Sequence, residues 1–394
     1  MSPALSPFAD SIGGSAVVDL RRRADALEAD GRAIVDLGIG EPDFEPPPPV
    51  KEALLRAVRD GRDKYVDPRG LAALREAIAG FEAERHGASA SPEQVIVTTG
   101  SVGALSIASR ALFSPGDEVL LLEPCYGPYR SLVALTGAAA VGVAMPERQG
   151  RFVIEREPLA EAVTEETRAI IVNSPCNPTG RVFAGPELQI IADVAEAHDL
   201  WILSDEVYSE LVYDGAQHRS IATLGPETAA RTVTLNSLSK TYAMTGWRLG
   251  YCLAPPALAP VLARINHLTA RCATSIVQHA AVVAYAEGAP FVEAMRSEYG
   301  RRRDAIAAGL NRLDGIDCAA PEGTFYAFPA YAEAWGDSRA LAAYLLEEAG
   351  LIVTPGAAYG PGSTHNLRLS FATSMAVIEE GLARLEEALP PRPG

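Results

Sequence analysis

Six short apolar runs punctuate the middle of the chain, and helical patterns stand between them. They are QVIVTTG (94–100), DEVLLLEP (117–124), RAIIVNSP (168–175), WILSDE (201–206), RTVTLNS (231–237) and RLGYCLA (248–254). Between them SVGALSIASRALF (101–113) and PELQIIADVAEAH (186–198) carry apolar residues at helical spacing. A strand apolar at successive positions is covered on both faces, and strands alternating with helices are joined by crossovers. The pattern predicts an α/β fold with a mostly parallel, doubly wound sheet and helices on both faces. Past residue 275 the alternation gives way to long helical stretches, followed by GTFYAFP and LRLSFAT as strands. A second, smaller α+β domain is therefore expected over 290–394. Residues 1–45 join it as an arm and lead-in, and 46–289 form the large domain. The lead-in ends in GIGEPDFEPPPP, where four prolines exclude helix. The 394 residues are long enough for both domains.

In an open α/β sheet ligands sit beyond the carboxyl ends of the strands. Read in order, those ends carry Gly100-Ser101, Glu123-Pro124, Asn173-Ser174-Pro175, Asp205 and Asn236-Ser237. The amides of Ser101, Val102 and Gly103 open a helix, and with its dipole they favour an anion. Neither GxGxxG nor a Walker loop is present. Ser237 and Arg248 add a hydroxyl and a guanidinium suited to phosphate oxygens.

Between those two stands Lys240. Of the 34 basic residues only Lys51, Lys64 and Lys240 are lysine. Arginine binds phosphate at least as well, but it does not lose a proton to attack a carbonyl. An amine at this position points to a Schiff base. Asp205 suits a protonated ring nitrogen, and Tyr208 and Asn177 suit a ring oxygen. Asn177 sits in SPCNPTG, pinned by two prolines and a glycine. Tyr126, in EPCYGPY, offers a ring to stack on a planar face. Each also has a plainer explanation: a serine cap, a surface lysine, an N-cap for EVYSEL, a tight turn, a core aromatic. Together they describe a pocket for pyridoxal 5′-phosphate (PLP).

The net charge of −16 argues against nucleic acid or an anionic membrane as a general partner. The six histidines form no HExxH and the five cysteines no CxxC, so neither a metal nor a disulfide framework is expected. The opening MSPALSPFADS has no basic-then-apolar pattern of a leader, and no apolar run is long enough to span a bilayer. A cytoplasmic location is expected.

GIGEPDF, KYVDPRGLAALREAIA, TTGSVGAL, NSPCNPTG, SDEVY, SLSKTYAMTGWRLG, PEGTFYAFP and LRLSFAT follow one another as they do in one family. The chain resembles the class I/II aminotransferases of PLP fold type I, the aspartate aminotransferase superfamily. The resemblance implies that Lys240 forms the internal aldimine and shuttles the proton, and that Asp205 pairs with the pyridinium. It implies that Asn177 and Tyr208 bind the phenolic oxygen and that Tyr126 stacks on the ring, where the family often has tryptophan. Ser101, the Val102 amide, Ser237 and Arg248 would hold the phosphate, joined by Tyr65 of a neighbouring subunit in a homodimer with shared active sites. Arg368, beside the Gly40 backbone, would clamp the substrate carboxylate. The implied activity is transfer of an amino group from an L-α-amino acid to a 2-oxo acid. A lyase or cyclising synthase of the same fold is the alternative. A ligand-sensing regulator would place a winged-helix region ahead of this domain, and the motifs begin too early for one.

Overall fold

The computed structural model describes residues 16–148 and 150–389, so the MSPALSPFADS start and the PPRPG tail lie outside it. Seven strands form the main sheet: β1 Val95–Thr98, β2 Glu118–Glu123, β3 Ala139–Ala144, β4 Thr167–Asn173, β5 Trp201–Asp205, β6 Thr232–Ser237 and β7 Gly250–Leu253. Their spatial order is β1-β7-β6-β5-β4-β2-β3. The pairs from β3 through β6 are parallel, and β7 runs antiparallel to both its neighbours. Six of the strands are the six apolar runs. The seventh, β3, has the sequence AAVGVA and lies at the sheet edge, half exposed. Alanine and glycine there give too little apolar signal to announce a strand.

Side chains alternate across this sheet. Val119, Leu121, Ala169, Ile171 and Leu203 enter one hydrophobic cluster, with the helix Gly100–Leu112 above it. Leu120, Leu122, Ile170, Val172 and Ile202 enter another, covered by the helix Gly185–Ala197. Burial on both faces is what turned these strands into unbroken apolar runs. The chain leaves the β1 edge, crosses to β2 and β3, then returns through β4, β5 and β6. The switch of direction falls between β2 and β4, and a crevice opens there above the strand ends.

The remaining strands are short. Tyr326–Ala327 pairs antiparallel with Leu367–Ser370, which pairs with Thr354–Pro355. Val35–Asp36 runs parallel to Leu351–Ile352, so the lead-in is stitched to the C-terminal part of the chain. Leu37, Phe325, Leu345, Leu367, Leu369, Ile378 and Leu385 share one core there with the helices Ala289–Leu310, Ser338–Ala349 and Met375–Ala388. All five cysteines are free, and four are buried. Among the described residues no helix is long and apolar enough to cross a membrane.

Candidate active site

A cavity of about 780 Å³ lies over the carboxyl ends of β4 and β5 and reaches the strand Leu367–Ser370. Gly40, Ser101, Val102, Tyr126, Asn177, Asp205, Tyr208, Lys240 and Arg368 all line it. Residues far apart in sequence converge because most of them stand at the carboxyl end of a sheet strand or in the turn or helix that comes next. Gly40 comes from a loop and Arg368 from inside the strand Leu367–Ser370.

On one side the helix Gly100–Leu112 begins at Gly100, preceded by Thr99 as an N-cap that makes no side-chain bond. No serine caps it; Ser101 lies within the first turn. The amides of Gly100, Ser101 and Val102 thus have no intrahelical acceptor. Arg248 sits with φ at +55°, a left-handed conformation uncommon outside glycine, and its Nη1 donates to Thr245 O at 2.9 Å. Its Nη2 lies so near Gly100 that a Cβ there would come within 2.7 Å of it, and Gly100 itself has φ +78°. Only glycine admits both the turn and the guanidinium. Buried Ser237 accepts from Ser239 N at 2.9 Å, which holds the short helix carrying Lys240.

The floor is Asp205, 7% exposed. Its Oδ2 accepts from Tyr129 Oη at 2.7 Å and its Oδ1 from Val207 N at 3.3 Å. The segment after it is a turn rather than a helix, so Asp205 is not a helix cap. Burial pushes its carboxyl up to about 6, against the stabilising hydrogen bond from Tyr129. Lys240 donates to Gly40 O, and its ammonium stands 5.5 Å from the Phe325 ring. Burial lowers its amine to about 8, so a substantial neutral fraction exists near neutral pH. Tyr208 meets Tyr326 hydroxyl to hydroxyl at 3.1 Å, and burial raises its phenol well above the ordinary value.

Arg368 closes the other side. It donates from Nη1 to Asn177 Oδ1 at 3.2 Å and from Nη2 to Gly38 O at 2.7 Å and Thr354 Oγ1 at 3.3 Å. Its guanidinium lies 4.2 Å from the Tyr326 ring centroid. Among the described residues no carboxylate pairs with it, and its buried Nε has no partner. A buried cation without a counter-charge is costly, so the site calls for an anion.

Tyr65 is not part of this cavity. It is 76% exposed, with Arg271 4.8 Å over its ring. Tyr129, Tyr326 and Thr354 line the cavity without a sequence signal that marks them, and Asn173, named above as a strand end, lines it too. Asn173 holds two turns at once, donating to Asp205 O at 2.9 Å and accepting from Asn177 N at 2.8 Å. Its strand-end position is the available signal.

These groups fit PLP. Free amides beside a guanidinium suit its phosphate, the partly neutral amine its aldehyde, and the buried carboxylate its ring nitrogen. Arg368 is left for a substrate carboxylate.

The family described as aminotransferase class I and II matches residues 32–385. An aspartate aminotransferase of Geobacillus stearothermophilus is 37% identical over 387 residues, 97% of this chain and 98% of the relative. An aromatic-amino-acid aminotransferase of Thermococcus litoralis is 36% identical over 389 residues, 98% of each. Among solved structures, an aspartate aminotransferase mutant of Thermus thermophilus superposes with a TM-score of 0.93 at 36% identity, covering 98% of this chain and all of that one. The Rhizobium meliloti aspartate aminotransferase gives 0.94 at 34%, covering 98% and 99%. The chain belongs to the class I and II aminotransferases, fold type I enzymes that depend on PLP.

Proposed function

We propose that Lys240 is the residue that carries PLP and moves the proton during amino transfer, with Asp205 under the ring nitrogen and Arg368 on the substrate carboxylate. The observation that carries this reading is one cavity holding a partly neutral amine, a buried carboxylate and a buried guanidinium with no counter-ion among the described residues. PLP, when bound, supplies an electron sink for the bond broken at the substrate Cα.

The chain's own groups do the rest. Arg368 receives the α-carboxylate through its fork, and Asn177 beside it fixes the approach. Fixing the carboxylate sets which Cα bond faces the ring, which decides the reaction. The Lys240 amine, once free, would take the proton from Cα and deliver one to the cofactor's former aldehyde carbon instead of back to Cα. Asp205, ionised against a pyridinium, keeps the ring protonated. Ser101, the Val102 amide, Ser237 and Arg248 hold the phosphate; Tyr126 stacks on the ring, and Tyr208 with Asn177 binds its oxygen.

The same reading divides the chain into a cofactor-binding domain, 46–289, and a smaller domain, 290–394 with the lead-in 1–45, that brings Arg368. It also makes the enzyme a homodimer. Tyr65 is far more exposed than an aromatic in a monomer needs to be. It adjoins the helix Ala259–Thr269, tied to its loop by Asn266 Nδ2 on Pro68 O at 2.8 Å, where Leu268 is 83% exposed. Such a patch suits a partner subunit. A cytoplasmic location goes with this role in amino acid metabolism.

The names of the relatives make L-aspartate with 2-oxoglutarate the first pair to try. Stoichiometric appearance of the oxo acid and the new amino acid supports transfer. Release of ammonia in place of the second product would instead support a lyase.

A further inference from the structure

Tyr129 has no part in the reading above, yet among the described residues it makes the one side-chain hydrogen bond to the Asp205 carboxylate, Oη to Oδ2 at 2.7 Å. Both residues are buried. One segment delivers it together with Tyr126: Tyr129 N bonds Tyr126 O at 3.1 Å, and their rings meet edge to face at 5.3 Å and 81°. Cys125 N on Tyr359 O at 2.9 Å anchors the segment to the other wall. The face of the ring and the floor beneath its nitrogen are therefore set by a single turn of chain.

A carboxylate with only the Val207 amide at 3.3 Å would be free to rotate about its last torsion, which is broad. The hydroxyl removes that freedom. Each Asp205 oxygen then accepts one protein hydrogen bond and retains lone-pair capacity toward the cavity it lines. The phenol is a dependable donor, because burial and the adjacent carboxylate hold its own ionisation far above the ordinary range. We propose that Tyr129 is a positioning residue, holding Asp205 in the orientation in which it meets the cofactor's ring nitrogen. The inference rests on the assignment of Asp205 to that nitrogen.

The other groups facing Asp205 leave this role to Tyr129. Glu206 is turned away onto Ser204, Ser220 and His218. Lys240 approaches from across the cavity and is to be consumed by the aldehyde. Cys125 and Cys176 are buried thiols whose ionisation is raised, so they stand neutral. Tyr126 contributes its ring.

The test is the affinity of cofactor-stripped full-length protein for PLP and for its carbocyclic analogue, in which C–H replaces the ring nitrogen. Tyr129→Phe should weaken PLP about tenfold at pH 7 and leave the analogue within twofold. The pH below which PLP binding fails should rise by half a unit or more, since the carboxylate loses a bond that favours its ionised form. In an Asp205→Asn background the same change should have no further effect on either ligand. Superimposable wild-type and variant curves would overturn the proposal. So would equal loss for PLP and analogue, or a loss of fold that persists in the Asp205→Asn background, because either marks a packing role. If wild-type protein itself binds PLP and the analogue alike, the assignment of Asp205 fails first.

Discussion

Arg368 and Lys240 hang from carbonyls two residues apart on one loop, Arg368 Nη2 on Gly38 O at 2.7 Å and Lys240 Nζ on Gly40 O. The loop therefore gauges the distance between the proposed carboxylate clamp and the proposed reacting amine. A Cβ at Gly40 would stand 2.7 Å from Tyr326 Oη and 4.0 Å from Arg368 Nη2. Gly40→Ala should shift the loop or Tyr326, raising KM for the amino donor about tenfold while the bound cofactor's absorbance is unchanged. Steady-state kinetics with a visible spectrum checks both.

Arg368→Lys keeps a positive charge and removes the fork. Losing one charge-assisted hydrogen bond costs about 2 kcal/mol, roughly a thirtyfold fall in donor kcat/KM. Cofactor affinity should be unchanged, and equilibrium binding of an unreactive carboxylate should weaken in parallel.

Asp205 shapes stability as well as chemistry. Its folded value of about 6 lies above the ordinary 3.8, so the folded chain holds the proton more tightly than the unfolded one. Its contribution to the stability of cofactor-free protein is therefore full below about 3.8, is lost as pH rises to about 6, and is flat beyond. Asp205→Asn should remove that dependence. Above pH 6 it should stabilise the cofactor-free protein by at most roughly 3 kcal/mol, while crippling turnover. Urea titrations across this window test the sign.

Lys240 has the opposite displacement, down to about 8. Only a neutral amine attacks an aldehyde. The rate at which cofactor-free protein captures PLP should rise about tenfold per pH unit below 8 and level off above it. Stopped-flow absorbance at saturating PLP measures this directly.

Much of this was legible beforehand because strand ends in a parallel sheet hold the site, and the strands announce themselves as apolar runs. Lys240, Asp205 and Arg368 each stand in or next to such a run. What was not legible lacked a pattern. The edge strand β3 is too rich in alanine and glycine, and Tyr129 looks like any core aromatic until the fold sets its hydroxyl against Asp205. The turn at Val207–Glu210 reads as a helix from spacing alone. Tertiary bonds claim the residues on either side of it instead, Glu206 N to Leu235 O and Thr324 N to Leu211 O.

The central claim concerns one amine among three. Holoenzyme reduced with borohydride, digested and mapped by mass should carry the phosphopyridoxyl group on the peptide containing Lys240, and Lys240→Ala should carry none. Label on Lys51 or Lys64, or a Lys240→Ala protein that still turns over, would contradict the account.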